Sequence, residues 1–318
     1  MTINIPPIVL EQAEAEEMYE FEDGVPEVLR EKWGVGATRL GGGVVLAMRD
    51  DSSDYWSKAL GFGFSEPVTL PLMEQVSAFY RERDVRLATI QIAPSVIPND
   101  WSAICETLAF EPSDIIRKLG CDIETAVELS AGATLEDGLT VGPVAPDEAA
   151  EWADVMPRAM GVPHQGMQDM AAASVVRAGW HPFAVRESGS IIATATLRVQ
   201  GQVGSLFAGC TLTEARGRGA QSALIAARIR AAQNEGCRWL VVETFDEPAG
   251  THNSSYHNLI RSGFKLQYTR RNWIWRNPAV PVAAGLRQRL KPAAIVGAVC
   301  HYADPPPKSG SQRSLQIR

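Results

Sequence analysis

Between a β-favouring run at 204–212 and a long amphipathic stretch at 222–234 stands Arg216-Gly217-Arg218-Gly219. This segment constrains the chain more than any other. Glycines let backbone N–H groups turn inward, and the first turn of the following helix adds its dipole. A strand, a glycine loop and a helix in that order make an anion cradle. Arg216 and Arg218 add positive charge at its rim. A phosphate-bearing ligand is the functional reading. A tight βα turn with solvated arginines is the structural one.

The surrounding pattern sets the organisation. At 318 residues and 45% hydrophobic, the chain has material for two cored domains. Residues 8–18 and 25–33 read as helices, 44–48 as a strand, 72–83 as a helix with Leu72, Val76 and Phe79 on one face, and 87–93 as a strand. A helix at Trp101–Leu108 and a strand at 115–119 follow. Residues 129–137 are small, polar and without period, which places a boundary there. Beyond it come a strand at 139–144, a helix from 146 to about 156, and an irregular stretch at 160–170. A hairpin then turns across Glu187-Ser188-Gly189. The glycine loop with its helix, a strand at Trp239–Phe245, a short helix at Ser254–Arg261 and a last strand through Trp275 complete the pattern. The expected domains are 1–130 and 137–276, with a basic tail at 277–318. Residues 282–290 read as weakly helical, and the Pro- and Ser-rich 304–318 as disordered.

The loop resembles the CoA motif of the GNAT superfamily of acyl-CoA-dependent N-acetyltransferases, Arg/Gln-x-x-Gly-x-Gly/Ala at a helix start. Arg216, Gly217, Arg218 and Gly219 match, and Gln221 stands where Gly or Ala is usual. Its side chain must then point away from the pyrophosphate or bond to it. About 30 residues later, Asn253-Ser254-Ser255-Tyr256-His257-Asn258-Leu259-Ile260-Arg261-Ser262-Gly263-Phe264 resembles the superfamily's fourth-helix signature. Its Asn lies one residue nearer Gly-Phe than usual, and Leu259 stands where the family has a tyrosine.

The resemblance implies an α/β fold (α+β layered), a mixed central sheet flanked by helices in two tandem domains. The first is a degenerate copy without the glycine loop, or else an unrelated accessory α/β domain, packed against the second. It implies a strand near Gly209, Cys210 and Thr211 that diverges from the strand at 240–244, with pantetheine in the gap. Acetyl-CoA would be the co-substrate, one per chain, with its pyrophosphate on Arg216, Gly217, Arg218, Gly219, Ala220, Gln221 and Ser222, and Asn253 nearby. A valine at Gly219 would then block CoA with little loss of fold. The activity implied is acetyl transfer to a primary amine of an unidentified, small-molecule acceptor, by direct attack. A non-catalytic acyl-CoA-binding or regulatory module is the alternative.

Other residues carry lesser signals. Glu243 is a carboxylate inside an apolar strand, facing away from Val242, and is the candidate base or amine anchor. Tyr256 is the candidate acid, against a packing role. Cys210 stands beside the implied thioester, but no His or Asp is spaced to activate it, which favours packing over an acyl-Cys step. Met156, Met160, Met167 and Met170 suit either an acceptor lip or core filling, and His164 and Asp169 stand in the same stretch.

Composition narrows the rest. Net charge is −7, although 277–318 is basic, so the body is acidic and nucleic acid is not the expected partner. An acidic body suits a cationic amine, or simply solubility. The first 29 residues hold eight acids and no Lys or Arg, which is no secretory signal. No apolar run reaches the ~18 residues of a membrane span. Five scattered cysteines, none in C-x-x-C, fit a reducing compartment. The five histidines show no metal spacing. The expectation is a cytoplasmic enzyme, monomer or homodimer, without metal.

Overall fold

The computed structural model describes residues 4–51, 53–161 and 165–280. The expected elements at 282–290 and 304–318, and His164, lie outside the described residues. The first half builds α1 (Pro7–Asp23), α2 (Glu27–Trp33), β1 (Val35–Leu40), β2 (Gly43–Met48), β3 (Lys58–Leu60), α3 (Leu70–Arg81), β4 (Leu87–Gln91), α4 (Trp101–Leu108), β5 (Glu111–Asp122) and α5 (Ile123–Ser130). The second builds β6 (Leu139–Pro143), α6 (Ala149–Met160), α7 (Gln165–Ser174), β7 (Trp180–Glu187), β8 (Ser190–Gln200), β9 (Val203–Thr211), α8 (Ala220–Asn234), β10 (Trp239–Phe245), α9 (Ser254–Arg261) and β11 (Lys265–Arg276).

Among the described residues all strands join one 11-stranded sheet in the order β1-β2-β3-β4-β11-β5-β10-β9-β8-β7-β6. Each half contributes antiparallel strands that end in one parallel pair, β3 with β4 and β9 with β10, each bridged by a helix. The middle is exchanged. β11, last of the described strands, pairs with β4 and β5, and β5 pairs with β10 of the second half. The halves also echo each other locally. α4 ends in left-handed Ala109 and α9 in Ser262 before left-handed Gly263, and each is followed by a buried phenylalanine. Phe110 N–H donates to Cys105 O at 2.9 Å, and Phe264 N–H to Leu259 O at 3.1 Å.

Helix α1 sets how the sheet bends. Its consecutive residues Glu16 and Glu17 reach Arg39 on β1 and Ser205 on β9. Those strands stand seven places apart in the sheet, about 34 Å if it were flat. A helix with side chains is only ~10–12 Å across, so the sheet curls around α1. The N-terminal acids therefore do not form a solvated face. Glu11, Glu14, Glu17 and Glu22 are buried.

The partners of Glu11 and Glu14 are buried cations from the exchanged strands. Arg270 of β11 donates to Glu11, to both oxygens of Glu14 at 2.8 and 3.1 Å, and to Glu243 at 3.2 Å. Lys118 of β5 donates to Glu14 at 2.5 Å and lies 3.5 Å from Glu243, its register partner on β10. Burial would raise the Glu14 pKa, but the charges of Arg270 and Lys118 outweigh it and hold the group well below its usual range.

Four corrections follow at the level of elements. The stretch at 160–170, expected irregular, is α7 from residue 165, because its Met and Ala residues pack inward. Strands β1 and β3 were not foreseen. β1 is mixed in burial and β3 is only three residues long, so neither shows an alternation of useful length. α5 occupies the start of the stretch expected to be a boundary, with Asp122 accepting from Thr125 N–H as its N-cap.

Replacing Arg270 with Met would leave three buried glutamates, Glu11, Glu14 and Glu243, without their shared cation. Breaking a buried ion network from one side costs about 3–5 kcal/mol, so Arg270→Met is expected to lower unfolding stability in urea by that order. A midpoint equal to wild type would show that the cluster does not hold the sheet to α1.

Candidate functional site

β9 and β10 run parallel for only three register pairs, ending at Ser205 and Val241. Beyond that point β9 continues along β8, and β10 along β5. Among the described residues no strand pairs with the edge of β9 that faces the widening gap. A main-chain edge without a ladder partner is a template for an extended ligand. Gly209, Cys210 and Thr211 lie on this stretch, the first two buried.

A bulge shapes the gap. The register between β8 and β9 shifts from Thr194 with Cys210 to Thr196 with Phe207, so Ala208 and Gly209 face one residue, Ala195. Ala208 takes φ +53°, an uncommon conformation for alanine. Arg228, fully buried on α8, fastens the bulge. It donates to Thr196 O at 3.3 Å, Phe207 O at 3.4 Å and Leu224 O at 3.2 Å. Burial pulls its pKa down to about 9, against the pull of Glu17. Because the 207–208 peptide is trans, the Ala208 N–H points away from the carbonyl that Arg228 holds. Sequence reading missed Arg228, since an arginine among the alanines of α8 reads as solvated.

At the mouth of the gap, Gly217 (φ +78°) and Gly219 (φ +83°) turn the chain into α8. Among the described residues no acceptor takes the N–H groups of Ala220, Gln221 or Ser222, while Ala223 already donates to Gly219 O. Those three donors are the free first turn of a 15-residue helix. The first half offers no equivalent. At α3, Pro71 has no N–H, and Thr69 Oγ1 accepts from Leu72 N–H.

The loop arginines divide. Arg216 reaches Thr211 O and Ala159 O, both at 3.4 Å. Arg218, expected at the rim of the cradle, instead ties Glu136 (3.0 Å) to Glu187 (2.6 Å). Gly219 packs under the connecting segment, where an added Cβ would stand 2.3 Å from Thr134 O. A valine there would displace backbone, which corrects the expectation of little harm to the fold. Gln221 points to α9, donating to Ser255 at 3.3 Å and accepting from Asn258. Its side chain thus leaves the cradle clear. Asn253 is buried and fully engaged. It caps α9 through Tyr256 N–H at 2.8 Å and donates to Thr244 Oγ1 and Phe245 O.

Glu243 and Tyr256 are not brought together. Glu243 faces α1, whereas Tyr256 packs with Val242 and Leu259 on the opposite face, under the Arg117 guanidinium at 4.2 Å. Burial and the nearby Glu14 push the Glu243 pKa up to about 7, although Lys118, Arg270 and Lys58 oppose the shift. Glu17, beside Ser205 where the strands part, is pushed up to about 8 by burial, and its Oε2 has no partner among the described residues. The α1-facing wall of the gap thus holds two carboxyl groups that titrate near neutrality. Met156, Met160, Met167 and Met170 are all buried in the main core, which decides for core filling. Asp169 accepts from Trp33 Nε1 at 3.2 Å.

Among the described residues no helix is long and apolar enough to cross a membrane. The profile of the Acetyltransferase (GNAT) family matches residues 149–264. The chain is similar to a tandem GNAT protein from the clavulanic acid biosynthesis pathway, at 14% identity and a TM-score of 0.54, over 88% of this chain and 98% of that one. A GCN5-related N-acetyltransferase from Sphaerobacter thermophilus gives 14% and 0.52, over 88% and 96%. One from Kribbella flavida gives 15% and 0.51, over 79% and 95%. At these identities the likeness is one of fold, a GNAT-type mixed sheet flanked by helices. No curated protein matches the chain.

Ser222 offers a test of the cradle. A glutamate in the first turn of a helix favours the dipole, yet it would repel a pyrophosphate. Ser222→Glu is expected to keep or raise the melting temperature while weakening CoA binding at least tenfold, or ~1.4 kcal/mol. Unchanged affinity by calorimetry would place the anion elsewhere.

Proposed function

We propose, from the match of residues 149–264 to the Acetyltransferase (GNAT) family, that the protein transfers an acetyl group from acetyl-CoA to a primary amine of a small molecule. The observation that carries this reading is the gap that opens between β9 and β10 beside the free N–H groups of the first turn of α8. The pyrophosphate lies against Gly217, Gly219 and the N–H groups of Ala220, Gln221 and Ser222, with Arg216 at the rim. Asn253 serves by fixing the angle between β10 and α9, and Arg218 by holding the connecting segment. Pantetheine runs along the open edge at Gly209, Cys210 and Thr211, so the thioester reaches the bulge.

The amine lone pair attacks the thioester carbon, and the carbonyl oxygen becomes an oxyanion. The Ala208 N–H is the proposed donor to that oxygen, and Arg228 on the same peptide's carbonyl strengthens it. Glu243 takes the amine proton, its raised pKa matching base work near neutral pH. Collapse of the intermediate breaks the C–S bond and releases CoA thiolate, to which Tyr256 returns a proton. In the first half, Thr69 and Pro71 close the equivalent cradle, so that half is read as a degenerate, CoA-free copy.

A second reading keeps a specific observation. Glu243 is ion-paired with Lys118 and Arg270, and Tyr256 lies on the other face. A module that binds acyl-CoA without turnover would tolerate both.

Release of free CoA thiol across a panel of amines separates the two readings. The transferase is expected to release thiol with a subset of amines, at a rate that rises with pH through about 7 as Glu243 ionises. Glu243→Gln should lower that rate at least ~100-fold with CoA affinity unchanged and the rise lost. Binding of acetyl-CoA without thiol release from any amine supports the module.

A further inference from the structure

The loop that joins β10 to α9 gathers three side chains that sequence spacing did not connect. Glu247 Oε1 stands 2.9 Å from His257 Nε2 and 3.6 Å from His252 Nδ1. All three donor atoms lie within 4.8 Å of one another. The two imidazoles are stacked, with centroids 4.7 Å apart and planes 11° from parallel, so both rings turn an edge toward one carboxylate oxygen. We propose that Glu247, His252 and His257 form a binding site for one divalent transition metal ion, of which zinc is the expected occupant. The site is independent of the acyl-transfer reading.

The donor spacing suits that ion. With ligands at about 2.0–2.1 Å, neighbouring donors of tetrahedral zinc stand about 3.4 Å apart. The two distances to Glu247 Oε1, 2.9 and 3.6 Å, bracket that value, and His252, more than half exposed, has freedom to complete the third. Two imidazoles and one carboxylate favour zinc and its neighbours over magnesium or calcium, which take oxygen alone. A water molecule would complete a tetrahedral set.

The support behind the ligands is in place. Asn253 N–H donates to Glu247 Oε1 at 2.7 Å, and the Asn253 amide is anchored to Thr244 and Phe245. Such outer contacts hold a ligating carboxylate in one orientation. The local charge also permits a cation. Arg117 lies 3.9 Å from Glu247 Oε2, but it donates at 2.7 Å to Asp246, so the three groups together carry one net negative charge. To bind, His257 Nε2 must present its lone pair to the ion, with the ring proton carried on Nδ1.

An occupied site would clamp the β10–α9 loop to the first turn of α9. Titration of the untagged full chain with zinc, by calorimetry and thermal unfolding, tests this. One ion per chain is expected, with a rise in melting temperature by mass action. His252→Ala and His257→Ala should each weaken binding at least about tenfold and abolish the thermal shift. Both side chains are well exposed, so the fold tolerates the change. Cobalt should give visible ligand-field bands without a thiolate charge-transfer band. Failure of wild type to bind zinc at millimolar concentration overturns the proposal, as does undiminished binding by both variants. A thiolate band places the metal on cysteine and also overturns it.

Discussion

Arg270 is the pivot of this structure. Fully buried, it holds Glu11 and Glu14 of the first helix and Glu243 of β10 in one set of contacts. A guanidinium suits this place because it stays ionised and presents a planar fork to several carboxylates. Taking so many charges from water is tolerable only when each finds a partner. The cluster meets that condition by drawing its members from α1, β5, β10 and β11, with Lys118 as the second cation. It thus joins the first residues of the described chain to its last strand. It adds to the main-chain ladders that hold β5 and β11 and to the apolar packing of α1.

That arrangement sets the chemistry of the gap. α1 fills the concave side of the sheet with carboxyl groups instead of solvent. Glu17 and Glu243, both raised toward neutrality by burial, stand along that wall. From the other face α8 sends Arg228 to the carbonyl of the bulge residue Phe207. Proton-accepting groups thus lie on one side of β9 and a buried cation on the other, with the 207–208 peptide between them. The first half supplies the helix, and the second supplies the open strand edge and the cradle, so the proposed site belongs to both halves.

Much of this was legible from residue patterns. Arg216 to Gly219 marks a strand–loop–helix because glycine tolerates the left-handed turns that Gly217 and Gly219 adopt. The parallel pair β9 and β10 follows from two β-rich runs bridged by one amphipathic helix. Phe110 and Phe264 follow similar helix ends, although Ala109 stands where the second half has Gly263. What stayed hidden depends on partners distant in sequence. A helix carrying Glu11, Glu14, Glu17 and Glu22 reads as solvated, and only Arg270 and Lys118, more than 100 residues away, make most of that face a buried one. The exchange of β5 and β11 leaves no local mark either. Arg218 reads as a phosphate ligand by position but is taken by Glu136 and Glu187. The metal-type grouping of Glu247, His252 and His257 crosses from a loop to a helix, where no fixed spacing announces it.

In the proposed function a single cradle, at the N-terminus of α8, serves a single strand gap. Calorimetric titration of the full chain with acetyl-CoA tests it most directly. Saturation at one acetyl-CoA per chain is expected, because the first turn of α3 is already closed by Pro71 and Thr69. Saturation at two, or no binding at millimolar ligand, would contradict it.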